Sequence, residues 1–130
     1  MVKVPYILAV DDDKNFLEVI SDKLKSTGFL VGTVNSADEA IKSIKEKRPD
    51  LVLLDVQMPQ KSGIEVVKEI QNDPKMQNLK IVFLTNFGDI GPYVSDINKH
   101  FAQQIGATDY IKKTSDFDRI IDKINELLHA

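Results

Sequence analysis

The sequence predicts an α/β fold in which five β-strands alternate with five α-helices in a single domain of residues 1–130. Short apolar runs rich in β-branched residues recur along the chain, and segments with apolar residues at helical spacing lie between and after them. A chain of 130 residues has the size of one ordinary domain. Alternating strands and helices form a parallel sheet with helices on both faces, because each right-handed crossover places its helix against the sheet.

The predicted strands are mostly continuous apolar runs, which are typical of strands buried on both faces of a sheet. They cover residues 6–10, 29–34, 51–54, 81–84 and 108–111. The first predicted helix ends at Gly28, and the second and third begin at the capping boxes of Ser36 with Glu39 and Ser62 with Glu65.

The two remaining helices follow the fourth and fifth strands. The fourth is predicted over residues 92–105 and ends before Gly106, after a loop rich in glycine and proline. The fifth has an apolar face at helical spacing, made of Phe117, Ile120, Ile121, Ile124, Leu127 and Leu128.

Composition and charge exclude several classes of function. The chain has 17 basic and 20 acidic residues, a net charge of −3, which is the wrong sign for a direct nucleic-acid partner. It has no cysteine, which excludes a thiolate metal site and a cysteine nucleophile. The apolar runs, such as residues 51–54, are all far shorter than the roughly 20 residues that span a bilayer. No signal peptide is readable, so we expect a cytoplasmic protein without a membrane partner.

Polar residues follow four of the predicted strands, and the carboxyl ends of parallel strands meet at one edge of the sheet, where ligands bind. These residues are Asp11, Asp12 and Asp13 after the first strand, Asp55 after the third, Thr85 after the fourth and Lys113 after the fifth. Taken alone, the aspartate triplet could simply cap the first helix, and we expect only this of Asp13.

Together, these residues indicate phosphoryl chemistry. Carboxylates gathered from different strands repel one another unless a cation offsets their charge, and oxygen ligands without His or Cys suit Mg²⁺. A carboxylate beside Mg²⁺ can attack a phosphoryl group, and Asp55 is the predicted nucleophile. The hydroxyl of Thr85 and the ammonium of Lys113 could stabilise the transferring oxygens.

The same segments resemble the receiver domain of two-component response regulators over essentially the whole chain. The matching segments are residues 10–12, 53–59, 84–85 and 106–113, which read VDD, LLDVQMP, LT and GATDYIKK. The resemblance implies a flavodoxin-like, doubly wound sandwich with the strand order 2-1-3-4-5.

The resemblance also implies a role for each residue of the site. The roles are Asp55 as the phosphoacceptor, Asp11, Asp12, Asp55 and the backbone carbonyl of Gln57 as the Mg²⁺ ligands, Thr85 and Lys113 as phosphoryl contacts, and Thr85 and Tyr110 as the switch. Gln57 and Phe87 are expected to tune hydrolysis, with the large apolar Phe87 slowing loss of the phosphoryl group where a water would enter.

Two departures from the family pattern lie near the predicted phosphoryl contacts. The family lysine is often followed by a proline, whereas Lys113 is followed by Thr114. The segment from Thr85 to Lys113 is also longer than usual for the family. The position of the fourth helix and the reach of Lys113 therefore do not follow from the resemblance.

By the resemblance, the protein is a phosphorylation-dependent switch that assists its own phosphoryl transfer and autodephosphorylation, and is not an ordinary enzyme. It would accept a phosphoryl group from the phosphohistidine of a histidine kinase or a phosphotransfer protein. No output domain follows Ala130 in the sequence, so we expect the signal to pass to a separate downstream effector protein. A phosphorylation-dependent homodimer is compatible with the family.

Two other functions remain open from the sequence. In a haloacid-dehalogenase-like phosphatase, Asp11 would be the nucleophile and Asp13 the acid and base, but no second acidic pair ends a later strand and Asp55 would be unexplained. In a non-catalytic interaction module, the same fold would bind partners regardless of phosphorylation.

Overall fold

The computed structural model describes residues 3–85, 99–113 and 116–129, and these form a parallel five-stranded sheet with helices on both faces. The strands are β1 (Tyr6–Val10), β2 (Leu30–Val34), β3 (Leu51–Asp55), β4 (Lys80–Thr85) and β5 (Asp109–Lys112). Their order is β2-β1-β3-β4-β5, which confirms the predicted fold class and strand order. Asp55 and Thr85, predicted to follow their strands, are the last residues within them.

Five helices connect and flank the strands in the described part of the chain. They are α1 (Lys14–Thr27), α2 (Ala37–Glu46), α3 (Gly63–Gln71), α4 (Lys99–Ile105) and α5 (Phe117–Leu128). The predicted start of α4, residues 92–98, lies outside the described residues. A short 3-10 helix, Pro74–Met76, was not predicted and begins where the Asp73 side chain accepts a hydrogen bond from the N–H of Lys75 at 2.9 Å. Within the described ranges, no helix has the length and hydropathy needed to cross a membrane.

The helices cover the sheet as two layers, and each layer has its own apolar core. One core joins the sheet to α1 and α5 through residues such as Ile20 and Ile124. The other joins the opposite face to α2, α3 and α4 through residues such as Ile44, Val67 and Ala102. All five residues of β3 are buried, as expected for a central strand with helices on both sides.

Capping residues fix the helix ends nearest the carboxyl edge of the sheet. The Asp13 side chain accepts hydrogen bonds from the first free N–H groups of α1, including that of Phe16 at 3.1 Å, so its predicted capping role is confirmed. The Ser62 hydroxyl accepts from the N–H of Glu65 at the start of α3. At the opposite edge of the sheet, Gly28 ends α1 with φ of +109°, a left-handed conformation that favours glycine.

Gly63 lets α3 begin directly against the end of β3. Its N–H donates to the carbonyl oxygen of Val56 at 2.8 Å. A Cβ atom at this position would overlap with the backbone carbonyl oxygen of Asp55. The turn after Asp55 is therefore packed against the first residue of α3, which holds the Asp55 backbone in place.

Candidate functional site

Three carboxylates meet at the carboxyl edge of the sheet, where β1 and β3 lie side by side. Asp11 directly follows β1, and Asp55 ends β3, whose residue Leu54 pairs with Val10. One carboxylate oxygen from each of Asp11, Asp12 and Asp55 lies within 4.8 Å of the other two. Asp11 and Asp55 are buried, with 0% and 3% of their surface exposed, whereas Asp12 is exposed.

Lys113 directly follows the edge strand β5, and its side chain brings an ammonium to this carboxylate cluster. Its backbone N–H donates to the carbonyl oxygen of Thr85 at 2.8 Å, which extends the pairing of β5 with β4 by one residue. Its Nζ lies 2.7 Å from Oδ2 of Asp11, with 13% of the lysine side chain exposed. Burial lowers the pKa of Lys113, but the hydrogen bond and charge of Asp11, together with Asp55, outweigh it and raise that pKa above its ordinary value.

The Thr85 hydroxyl lies at the end of β4 and is buried, with 1% of the residue exposed. Among the described residues it has no hydrogen-bond partner. An unpaired buried hydroxyl costs about 1–3 kcal/mol and usually indicates a missing partner such as a ligand atom. Thr85 is therefore available to donate a hydrogen bond to a group bound in the cluster.

Asp55 has the most strongly altered electrostatics of the cluster. Burial, followed by the negative charge of Asp11, raises its pKa from 3.8 to about 8, although Lys113 and the N–H of Gln57 act in the opposite direction. The Gln57 N–H donates to Oδ1 of Asp55 at 3.2 Å. A divalent cation among the carboxylates would favour their ionised forms.

The chemistry of the donor set fits Mg²⁺. The three carboxylates supply hard oxygen ligands and two of them are buried beside a single ammonium, so negative charge exceeds positive charge in the cluster. Within the part of the chain that the structure describes, no sulfur or imidazole ligand that would favour zinc joins the cluster. Gln57 lies in the turn after Asp55 with its side chain exposed, and its carbonyl stays a predicted ligand.

Replacing Asp55 with asparagine is expected to stabilise the protein when a chelator removes divalent cations. Because the raised pKa makes the folded state bind a proton that the unfolded state releases, Asp55 costs stability as pH rises from about 4 to about 8. We expect the free energy of unfolding of Asp55→Asn to exceed that of the parent by at least about 1 kcal/mol at pH 8, and by little at pH 4.

Urea denaturation at both pH values measures this difference. Asp122→Asn, which replaces an exposed aspartate of α5, is the control and should differ little from the parent. Equal stability of Asp55→Asn and the parent at pH 8 would show that the buried carboxylate carries no such cost.

Tyr110 lies on β5, two residues before Lys112, which pairs with Thr85. Phe83 pairs with Tyr110 and Thr85 pairs with Lys112, so Tyr110 and Thr85 are on the same face of the sheet. Tyr110 is half-buried and packs against the core beneath α3 and α4. Its rotation stays a prediction, and Phe87 lies outside the described residues.

Two side-chain contacts made by residues of β5 or directly after it were not predicted from the sequence. The Phe16 ring of α1 contacts the ammonium of Lys113, with Nζ 4.8 Å from the ring centroid. Asp109 is nearly fully buried and pairs with Lys123 of α5 at 2.9 Å. An aspartate inside an apolar strand was the signal for a buried ion pair, but nothing in the spacing identifies its partner.

Comparison with known proteins identifies response regulators among the relatives of this chain. Residues 7–125 match the family model of the response regulator receiver domain. The chain is 36% identical over 122 residues to the transcriptional regulatory protein CpxR homolog of Haemophilus influenzae, covering 94% of this chain and 49% of that protein. It is 27% identical over 122 residues to the polar-differentiation response regulator DivK of Brucella anthropi, covering 94% of each. The chain thus spans about half the length of the CpxR homolog and nearly all of DivK.

Solved structures agree with these matches. The receiver domain of NtrX from Brucella abortus superposes with a TM-score of 0.80 at 27% identity, covering 95% of this chain and 98% of that chain. The Francisella response regulator 1452 receiver domain gives a TM-score of 0.80 at 26% identity, covering 96% and 97%.

Proposed function

Because this chain belongs to the response regulator receiver domain family, we propose that it accepts a phosphoryl group on Asp55 and signals through the resulting change in conformation. The observation that best supports the proposal is the position of buried Asp55 beside Asp11, Asp12 and the ammonium of Lys113. In this role the protein is a switch of a two-component system that assists its own phosphorylation.

The transfer step uses one carboxylate oxygen of Asp55 as the nucleophile. This oxygen forms a bond to phosphorus while the bond between phosphorus and the imidazole nitrogen of a phosphohistidine breaks. The imidazole leaves with the electron pair of that bond and takes a proton from solvent. The products are an acyl phosphate on Asp55 and a free histidine on the donor protein.

Two side chains of this chain stabilise the transferring oxygens. The Lys113 ammonium is already in the cluster, 2.7 Å from Asp11, and its positive charge offsets the negative charge that the phosphoryl group brings. The buried Thr85 hydroxyl, unpaired among the described residues, donates a hydrogen bond to the same group. Both groups are held by the strand ends, so little rearrangement precedes the reaction.

Mg²⁺ would be held by the carboxylates of Asp11, Asp12 and Asp55 and by the carbonyl of Gln57. When bound, it supplies positive charge that offsets the carboxylates and the phosphoryl oxygens. Asp12 is the exposed carboxylate of the set, so the entry path for the ion and the donor lies on its side of the cluster.

The switch links Thr85 to Tyr110. A hydrogen bond from Thr85 to the phosphoryl group draws its side chain towards Asp55 and leaves space on the face of the sheet that Tyr110 shares. Tyr110 then turns inward from its half-buried position, and the surface of α4, β5 and α5 changes. A separate effector protein, or a second copy of the phosphorylated chain, would recognise that surface.

Incubation with acetyl phosphate tests the proposed function. We expect intact-protein mass spectrometry to show one added phosphoryl group in the presence of Mg²⁺ and none when a chelator is present. Acetyl phosphate replaces the kinase, so the result depends only on the chain itself. A folded protein that gains no phosphoryl group at any time point, including the earliest, would contradict the proposal and favour a phosphorylation-independent interaction module.

Phe87 and Gln57 are proposed to tune the lifetime of the acyl phosphate. Phe87 is two residues after Thr85, and a large apolar side chain there would hinder the water that hydrolyses the acyl phosphate. We expect Phe87→Glu to lose its phosphoryl group faster than the parent, measured by the decay of the added mass after removal of acetyl phosphate. An unchanged or slower decay would contradict this role.

The cellular setting of the proposed reaction follows from the family. The donor is a histidine kinase or a phosphotransfer protein in the cytoplasm. The CpxR homolog is named a transcriptional regulatory protein and is about twice as long as this chain, whereas DivK is matched over 94% of its length. A receiver domain can therefore make up nearly a whole response regulator or only part of one.

A further inference from the structure

The ammonium of Lys113 is in contact with two different side chains of the carboxyl edge. Its Nζ lies 2.7 Å from Oδ2 of Asp11 and 4.8 Å from the centroid of the Phe16 ring. The distance to the ring is within the roughly 6 Å range of an attractive contact between a cation and an aromatic face. Only 13% of the lysine side chain is exposed.

The Phe16 ring is held from both of the helices that flank Lys113. Its backbone lies in the first turn of α1, where its N–H donates to the capping side chain of Asp13 at 3.1 Å. Its ring centroid is 6.0 Å from that of Phe117, the first residue of α5, with the two rings tilted by 33°. Both rings also pack against the core shared by α1 and α5. The aromatic face is therefore a fixed part of the site.

We propose that Phe16 is a positioning residue that holds the Lys113 ammonium within the carboxylate cluster for phosphoryl transfer. The inference rests on the proposed function, because it assumes that Lys113 contacts the phosphoryl group on Asp55. Oxygens of Asp11 and Asp55 lie within 4.8 Å of each other, so the ammonium needs only a small movement from one to the other.

Removal of the Phe16 ring makes a solvent-exposed position of the Lys113 ammonium more favourable relative to its position in the carboxylate cluster. A lysine side chain is flexible and its ammonium is strongly hydrated, so without the aromatic face the ammonium spends a larger fraction of the time turned towards solvent, although the pair with Asp11 still holds it. Leucine keeps the apolar bulk of the site but has no aromatic face. Tyrosine keeps both, which makes Phe16→Leu and Phe16→Tyr a matched pair of variants.

The rate of phosphorylation by acetyl phosphate at saturating Mg²⁺ is the first readout. We expect Phe16→Leu to be about 2- to 30-fold slower than the parent, the range that corresponds to loss of a contact between a cation and an aromatic ring. Phe16→Tyr, which keeps the aromatic face, should be phosphorylated at the parent rate. Phe29→Leu is the control, because Phe29 is also half-buried against the same core but lies at the other end of α1.

Nuclear magnetic resonance of the unphosphorylated protein is the second readout and needs no phosphoryl transfer. The ε-methylene protons of Lys113 lie near the ring face, so their resonance is expected to be shifted upfield from those of the other lysines. Lys113→Met assigns the signal by removing it. The upfield shift should be lost in Phe16→Leu and kept in Phe16→Tyr and Phe29→Leu.

The two readouts separate failure of this inference from failure of the proposed function. A parent protein that is phosphorylated, with Phe16→Leu at an unchanged rate or with an unchanged Lys113 resonance, overturns the positioning role alone. The positioning role is also overturned if Phe16→Tyr is phosphorylated as slowly as Phe16→Leu. Absence of phosphorylation in the parent overturns the proposed function itself.

Discussion

Replacing Asp55 with asparagine is expected to abolish covalent phosphorylation of the chain completely. The asparagine amide has nearly the size and shape of the carboxylate but is a much weaker nucleophile, so no acyl phosphate forms at this position. The fold should survive, since the substitution removes a carboxyl whose burial beside Asp11 raises its pKa to about 8 and costs stability at neutral pH. Intact-protein mass after incubation with acetyl phosphate and Mg²⁺ measures the result.

Asp11→Asn is the matched control because it changes a second buried carboxylate of the same cluster. Its effect should differ in kind from that of Asp55→Asn, since Asp11 is proposed to bind Mg²⁺ and not the phosphoryl group. We expect Asp11→Asn to need more Mg²⁺ and to react more slowly, while still gaining one phosphoryl group. The opposite pattern, with the added mass lost in Asp11→Asn and kept in Asp55→Asn, would favour a phosphatase that uses Asp11 as its nucleophile.

Replacing Lys113 with methionine is expected to cause the largest loss of stability among the site variants. The change leaves Asp11, which is fully buried, without the ammonium 2.7 Å away that offsets its charge. Removing one partner of a buried ion pair costs about 3 kcal/mol or more, because the remaining charge stays desolvated. We expect the free energy of unfolding in the presence of a chelator to fall by about 3 kcal/mol, measured by urea denaturation.

A double variant shows whether the loss comes from the ion pair. In Asp11→Asn with Lys113→Met, neither charge remains, so the free energy of unfolding should recover much of what Lys113→Met alone loses. Mg²⁺ should also restore stability to Lys113→Met by replacing the lost positive charge. Lys68→Met, at an exposed lysine of α3, is the control. Additive losses in the double variant would mean that Lys113 and Asp11 do not interact.

Local signals in the sequence were sufficient to predict most of the fold. Gly28 and Ser62 lie at helix ends because a left-handed residue ends a helix and a serine hydroxyl caps the first turn, and both effects depend on a few neighbouring residues. Continuous apolar runs identified the buried strands for the same reason. The strand order came from the resemblance to the receiver family, since alternation of strands and helices does not fix which strands pair.

At the carboxyl edge of the sheet, the sequence predicted which residues meet wherever the strands alone bring them together. Asp11 and Asp55 meet because both end neighbouring parallel strands. Contacts between side chains of distant elements were not predictable in this way. The pairing of Asp11 with Lys113 joins residues at opposite ends of the chain, and the contact of Phe16 with the same ammonium depends on how α1 packs against α5. No periodicity or spacing carries that information.

The position of the acyl phosphate in the chain shows which carboxylate is the nucleophile. Borohydride reduces an aspartyl phosphate to homoserine, and peptide mass spectrometry then locates the changed residue. After phosphorylation with acetyl phosphate and Mg²⁺, we expect homoserine at position 55 and unchanged aspartate at positions 11, 12 and 13. Homoserine at position 11 with intact Asp55 would contradict this expectation.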